Sequence, residues 1–143
     1  MIQRIDHLNI VVSDLEAGRN FFILLGFEEI MRADLDPIFL QKVTGIEGAC
    51  GCFVALRHPC SDLTLELLQF TGGGTHDEGI GRADRRGFRH LAFAVDDIEG
   101  TVRTLMEQGV IFLTPIQTWE KTGKKLVYFH GPDGILMELA QYP

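Results

Sequence analysis

Two histidines and two glutamates recur at matched positions in this chain. His7 opens the run His7-Leu8-Asn9-Ile10-Val11-Val12-Ser13-Asp14-Leu15-Glu16, and His90 opens His90-Leu91-Ala92-Phe93-Ala94-Val95-Asp96-Asp97-Ile98-Glu99, 83 residues later. Glu66 lies in Leu63-Thr64-Leu65-Glu66-Leu67-Leu68-Gln69-Phe70, and Glu138 lies in Ile135-Leu136-Met137-Glu138-Leu139-Ala140-Gln141-Tyr142, 72 residues later. Imidazole with carboxylate is a donor set for Zn, Fe, Mn, Co or Ni. The plain alternative is a pair of His–Glu ion pairs with no metal. A single such pair would favour that alternative; four donors at equivalent positions of a repeat favour a divalent ion.

The offsets define the organisation. Gly26-Phe27 matches Gly109-Val110 at the same spacing of 83, so the repeat runs on past the histidine segment. The first copy is longer by 83 − 72 = 11 residues. The chain is thus expected to hold module one at 1–70, a glycine-rich and charged linker at 71–86, and module two at 87–143.

Each module reads as β-α-β-β-β. Arg4 to Ser13 alternates and is rich in Ile and Val, as a strand should be. Asp14 supplies an N-cap, Leu15, Gly18, Phe22 and Leu25 follow at helical spacing, and Gly26 stands at the C-terminal glycine position. Strands are expected at Phe27 to Ala33, Ala49 to His58 and Asp62 to Phe70, with a short helix within Asp36 to Gly45. The second module repeats the order: a strand over Gly87 to Asp96, a helix from Asp97 to Gln108, and strands at Val110 to Thr118, Lys124 to His130 and Ile135 to Gln141. The fold class expected is α+β, two tandem βαβββ modules forming a cleft-shaped mixed sheet with helices outside.

Period-two reading decides where the four donors point. Leu8, Ile10 and Val12 share one face of the first strand, and Ile5, His7, Asn9 and Val11 share the other. Glu66, His90 and Glu138 likewise fall opposite the faces formed by Leu63/Leu65/Leu67, Leu91/Phe93/Val95 and Ile135/Met137/Leu139. The apolar faces should pack on the helices. The other faces carry Leu68, Phe70, Phe88 and Leu136 beside the donors, and a carboxylate half-buried there needs a cationic partner.

Composition bounds the rest. The chain has 143 residues, 45% hydrophobic and 23% charged, which is ordinary for a globular domain. A net charge of −7 argues against nucleic acid as a general partner. No apolar run approaches the ~20 residues of a membrane helix, and no secretory leader is expected, so no membrane association and a cytoplasmic location are expected. Three cysteines without a C-x-x-C spacing suit a reducing compartment.

With these motifs in view, the chain resembles the vicinal oxygen chelate superfamily, which groups glyoxalase I, methylmalonyl-CoA epimerase, extradiol dioxygenases, fosfomycin-modifying transferases and bleomycin-binding proteins. The resemblance covers nearly the whole chain. It rests on His7 with Asp14-Leu15-Glu16, Leu25-Gly26-Phe27, Leu65-Glu66-Leu67, His90 with Asp96-Asp97-Ile98, and Gly131-Pro132-Asp133-Gly134 before Glu138. It implies paired βαβββ modules around a cleft with one divalent metal ion (Ni, Co, Zn, Mn or Fe) held by His7, Glu66, His90 and Glu138. The dioxygenase-like pattern would need only His7, His90 and Glu138. Glyoxalase I has glutamate at both strand positions, as here, whereas the epimerase typically has glutamine at the Glu66 position. Bleomycin binders lack the ligand set. Val11 stands where glyoxalase I usually has an arginine, and Arg85-Arg86-Gly87-Phe88-Arg89 replaces its asparagine-glycine signature. No substrate is therefore assigned.

The function this implies is a metal-dependent lyase or isomerase that transfers a proton next to a carbonyl of a small molecule. Glu138, Glu66 or both would act as general base. A ring-cleaving dioxygenase and a non-catalytic binding protein are the alternatives. A homodimer is expected. Asn9 could hydrogen-bond the substrate, and Arg82, Arg85, Arg86 and Arg89 could hold an anionic tail, although a charged run is usually solvated surface. The inserted segment Asp36 to Gly48 is the candidate lid, and Trp119 and Phe39 are candidate cleft walls. Cys50, Cys52 and His58 share a strand face but have no fourth ligand.

Overall fold

The computed structural model describes residues 2–143. The chain divides into two compact units between His76 and Asp77. The first unit runs β1 (His7–Val11), α1 (Leu15–Leu24), β2 (Glu28–Leu35), α2 (Pro37–Thr44), β3 (Gly51–Arg57) and β4 (Thr64–Phe70). The second runs β5 (His90–Ala94), α3 (Ile98–Glu107), β6 (Gln117–Trp119), β7 (Lys124–His130), a 3-10 turn at Pro132–Gly134, and β8 (Leu136–Gln141). The sheets have the orders β1-β4-β3-β2 and β5-β8-β7-β6. In each, the first strand lies parallel to the last and the other pairs are antiparallel. The fold is α+β, two tandem βαβββ modules.

The two helices that follow the first strands start the same way. The side chains of Asp14 and Asp97 accept from Ala17 N at 2.9 Å and Gly100 N at 3.0 Å, as N-caps do. A glutamine from the last strand ties down each helix start: Gln69 Oε1 accepts from Leu15 N at 3.2 Å, and Gln141 Oε1 accepts from Ile98 N at 2.8 Å. Gly26 and Gly109 follow the helices with φ of 88° and 86°, the left-handed position glycine takes without strain.

The cores lie under the helices. α1 rests on its sheet at Gly18, where an added Cβ would stand 3.3 Å from Val12 Cγ1 and 3.5 Å from Leu67 Cδ1. Val12, Phe22, Val54, Leu56, Leu65 and Leu67 are buried in the first unit, and Ile98, Leu105, Val127, Phe129, Met137 and Leu139 in the second. Burial alternates as expected along β1 and β5, with the apolar faces turned inward, whereas β8 is buried on both faces. No helix among the described residues is long and apolar enough to cross a membrane.

One expected strand is mostly absent. Of Val110 to Thr118, only Gln117 and Thr118 enter a strand, which Trp119 completes, while Phe112 makes a lone bridge to Phe129. The segment still follows β7, with Leu113 N donating to Tyr128 O at 2.9 Å. Pro115 breaks the ladder because it has no N–H to donate and restricts the residue before it.

An ion-pair cluster fastens α1 to β2. Glu29 accepts from Arg32 and from Arg19, and Arg32 also reaches Glu16. The hydrogen bonds from Arg32, then Arg19, hold the Glu29 carboxyl down to about 2. A depressed folded-state value means that the cluster contributes fully above the ordinary 4.5 and loses that contribution as pH falls through about 2. Glu29→Gln is therefore expected to lower the urea midpoint at neutral pH. The gap to wild type should close as pH falls across that window. A gap that stays constant down to pH about 2 would contradict this assignment.

Candidate metal centre

Strand register brings each histidine to its glutamate. In the first unit Asn9 pairs with Glu66 across the parallel β1–β4 ladder. In the second, Ala92 pairs with Glu138 across β5–β8. His7 and His90 each precede those partners by two residues, so each histidine shares a face with the glutamate diagonally across from it. His7 Nε2 lies 3.4 Å from Glu66 Oε2, and His90 Nε2 lies 3.3 Å from Glu138 Oε2. The same atoms meet at nearly the same separation in both copies.

The surroundings of the pairs differ. His7 Nδ1 is 3.0 Å from Asp6 Oδ2, and Arg4 supports Asp6 at 2.8 Å. The hydrogen bond to His7, and then the charge of Arg4, hold the Asp6 carboxyl below its ordinary value. An ionised carboxylate at Nδ1 favours the tautomer that leaves the Nε2 lone pair facing Glu66, the orientation a metal-binding imidazole needs. The Glu66 side chain is 29% exposed.

Glu138 is the only charged residue buried among the described residues, and its side chain is 6% exposed. Lys124 Nζ donates to Oε1 at 2.9 Å and leaves Oε2 to His90. The same bond holds the Lys124 ammonium above its ordinary value. Tyr128 pairs directly with Glu138 across β7–β8, and its ring lies 5.2 Å from that of His90. Burial, then the Glu138 charge, push the Tyr128 phenol up, so it stays a neutral donor. The first unit has neither group: Ala55 faces Glu66, and Gly51 occupies the place of Lys124.

The sequence reading missed Lys124 and Tyr128. The signal was period two along β7, since a residue opposite Glu138 must share its face, and Lys124 stands four residues earlier on that face. Asn9 does lie on the site face, exposed and paired in register with Glu66. Trp119 pairs in register with Lys124 and is exposed, as is Phe39 on the inserted α2. Cys50 and Cys52 are free thiols, while His58 accepts from Cys60 N at 3.1 Å and packs on Phe27, so these three make no metal site.

The donors fit a divalent ion by type: each pair presents one imidazole nitrogen and one carboxylate oxygen. They do not complete a site by number. Metal sites use at least three protein ligands, and no group of three or more His, Cys, Asp or Glu is gathered for a metal among the described residues. Each pair by itself supplies two donors.

The family model "Glyoxalase/Bleomycin resistance protein/Dioxygenase superfamily" matches residues 4–139. The chain belongs to this superfamily. The uncharacterized protein YwkD of Bacillus subtilis is 29% identical over 140 residues, 97% of each chain. The mitochondrial methylmalonyl-CoA epimerase of Bos taurus is 27% identical over 142 residues, 96% of this chain and 74% of that protein. The crystal structure of a glyoxalase family protein from Bacillus cereus superposes with a TM-score of 0.88 at 26% identity, over 99% of this chain and 95% of that one. In the second unit of this glyoxalase-superfamily chain, a lysine already neutralises the buried glutamate. Lys124→Met is expected to destabilise metal-free protein by roughly 1–3 kcal/mol, because it leaves a desolvated carboxylate with one partner fewer. Lys124→Arg should recover part of the loss. Equal denaturation midpoints for wild type and Lys124→Met would show that the pair contributes nothing.

Proposed function

We propose that the protein is a divalent-metal-dependent lyase or isomerase of the glyoxalase type, moving a proton at the carbon next to a carbonyl of a small metabolite. The observation that carries this reading is the twofold His Nε2–Glu Oε2 contact, at 3.4 Å and 3.3 Å, on equivalent strands. His7, Glu66, His90 and Glu138 are the residues that would hold the ion. Glutamate at both strand positions matches the glyoxalase I pattern, and an epimerase among the relatives fits a proton transfer beside a carbonyl, since epimerisation inverts such a centre. A bound divalent ion would supply Lewis-acid polarisation of the substrate oxygens.

The two glutamates then have different duties. Glu138 is held at both oxygens, by Lys124 and by His90, and serves as a fixed ligand. Glu66 is less buried, and among the described residues no lysine or arginine pairs with it. Rotation about its own side-chain bonds frees an oxygen to take the proton from the substrate carbon and return it to the neighbouring carbon or the opposite face. Tyr128, kept protonated, hydrogen-bonds Glu138 and adds to its restraint. The small-molecule substrate and a homodimeric assembly belong to the same proposal.

Exchange of the α-proton into D2O tests this division of labour, with α-hydroxycarbonyl compounds and thioesters as probes. Glu66→Gln should slow exchange by about 10²–10⁴-fold while the metal is retained. Glu138→Gln should lose metal as well as exchange. Unimpaired exchange in Glu66→Gln would overturn the role of Glu66, and substrate-dependent oxygen uptake by the wild type would replace the lyase reading with the dioxygenase one.

A further inference from the structure

The loop leading into β5 carries charge that no ion pair absorbs. Arg82, Arg85, Arg86 and Arg89 place four of the chain's 13 Lys and Arg residues within eight positions, in a chain of net charge −7. Asp84 is the one acid in that run. Both of its oxygens are taken by Arg82, at 2.9 Å from Nε and 2.6 Å from Nη2. Among the described residues no carboxylate forms an ion pair with Arg85, Arg86 or Arg89. Asp77 lies close in sequence, but its Oδ1 accepts from Gly79 N at 2.8 Å.

Two of these cations come to one buried glycine. The Arg85 guanidinium fills the space a side chain on Gly79 would take, where an added Cβ would stand 2.8 Å from Nη2 and 2.9 Å from Cζ. Arg89 Nη1 reaches toward the Gly79 and Arg82 carbonyls at 3.4 Å and 3.5 Å, long for N–H···O bonds. Arg89 Nε is shut off from water and has no partner. A buried cationic N–H without an acceptor is costly, and two guanidinium groups brought to one residue repel. An oxyanion neutralises the pair, and a guanidinium fork matches carboxylate and phosphate geometry.

We propose that Arg85 and Arg89, on either side of Gly79, form an oxyanion-binding site that takes a phosphate or carboxylate group, as a free ion or as the tail of a larger ligand. It does not depend on whether His90 and Glu138 hold a metal. Binding of inorganic phosphate and of malonate to the full chain, by calorimetry against chloride at equal ionic strength, tests it. Saturable binding of either anion is expected in the wild type, and the preferred anion identifies the ligand group. Arg85→Gln should weaken binding roughly tenfold or more, the scale of a lost charged hydrogen bond, and Arg89→Lys should weaken it because the fork is gone while the charge stays. Arg103→Gln, an exposed change on α3, should leave binding unaltered. Wild-type metal content in Arg85→Gln would separate this site from the metal centre. Failure of the wild type to bind either anion, or equal affinity in Arg85→Gln, would overturn the proposal.

Discussion

The site rests on one constraint, the parallel pairing of each unit's first strand with its last. Antiparallel neighbours can be joined by a hairpin; parallel ones need a crossover, and the two helices, two strands and turns between β1 and β4 supply it. That pairing fixes Asn9 against Glu66 and Ala92 against Glu138. A slip of one residue would turn either glutamate onto the helix-covered face among Leu65 and Leu67, or Met137 and Leu139, where a carboxylate has no partner. The hydrophobic face thus enforces the register, and the register delivers the donors. Gln69 and Gln141 reinforce it by tying the start of each crossover helix to the last strand.

The two His–Glu pairs are alike in their donors and unlike in their support. On the second unit, Lys124, Tyr128 and the burial of Glu138 make a rigid, charge-balanced anchor. On the first, β3 presents Ala55 and Gly51 at the corresponding places. Any side chain at Gly51 would stand 2.5 Å from the Gln69 carbonyl oxygen, so no cation can be put there without moving the sheet. Glu66 is left the more exposed and less restrained carboxylate.

Much of this was legible in the sequence because it follows from period and repeat. Leu8, Ile10 and Val12 against His7, Asn9 and Val11 determined a face without any knowledge of the partner strand. Asp14, Gly26, Asp97 and Gly109 marked helix ends by chemistry that is local. What failed depended on contacts distant in the chain. Val110 to Thr118 has the apolar content of a strand, but Pro115 cannot complete a ladder whose partner, β7, is not visible from that segment alone. Lys124 opens β7, and its place beside Glu138 follows only from the β7–β8 register. The burial of Arg89 Nε depends on the path of a glycine-rich loop that has no period to read.

In the proposed function the two His–Glu pairs serve one divalent ion. Elemental analysis of protein purified without chelators or a histidine tag tests it most directly, with wild type compared against His7→Ala and His90→Ala. If each pair is half of one ligand set, the wild type carries near-stoichiometric Ni, Co, Zn, Mn or Fe, and either single change empties it. Wild type with no metal, none taken up on reconstitution, and unchanged content in both variants would show that the pairs are ion pairs only.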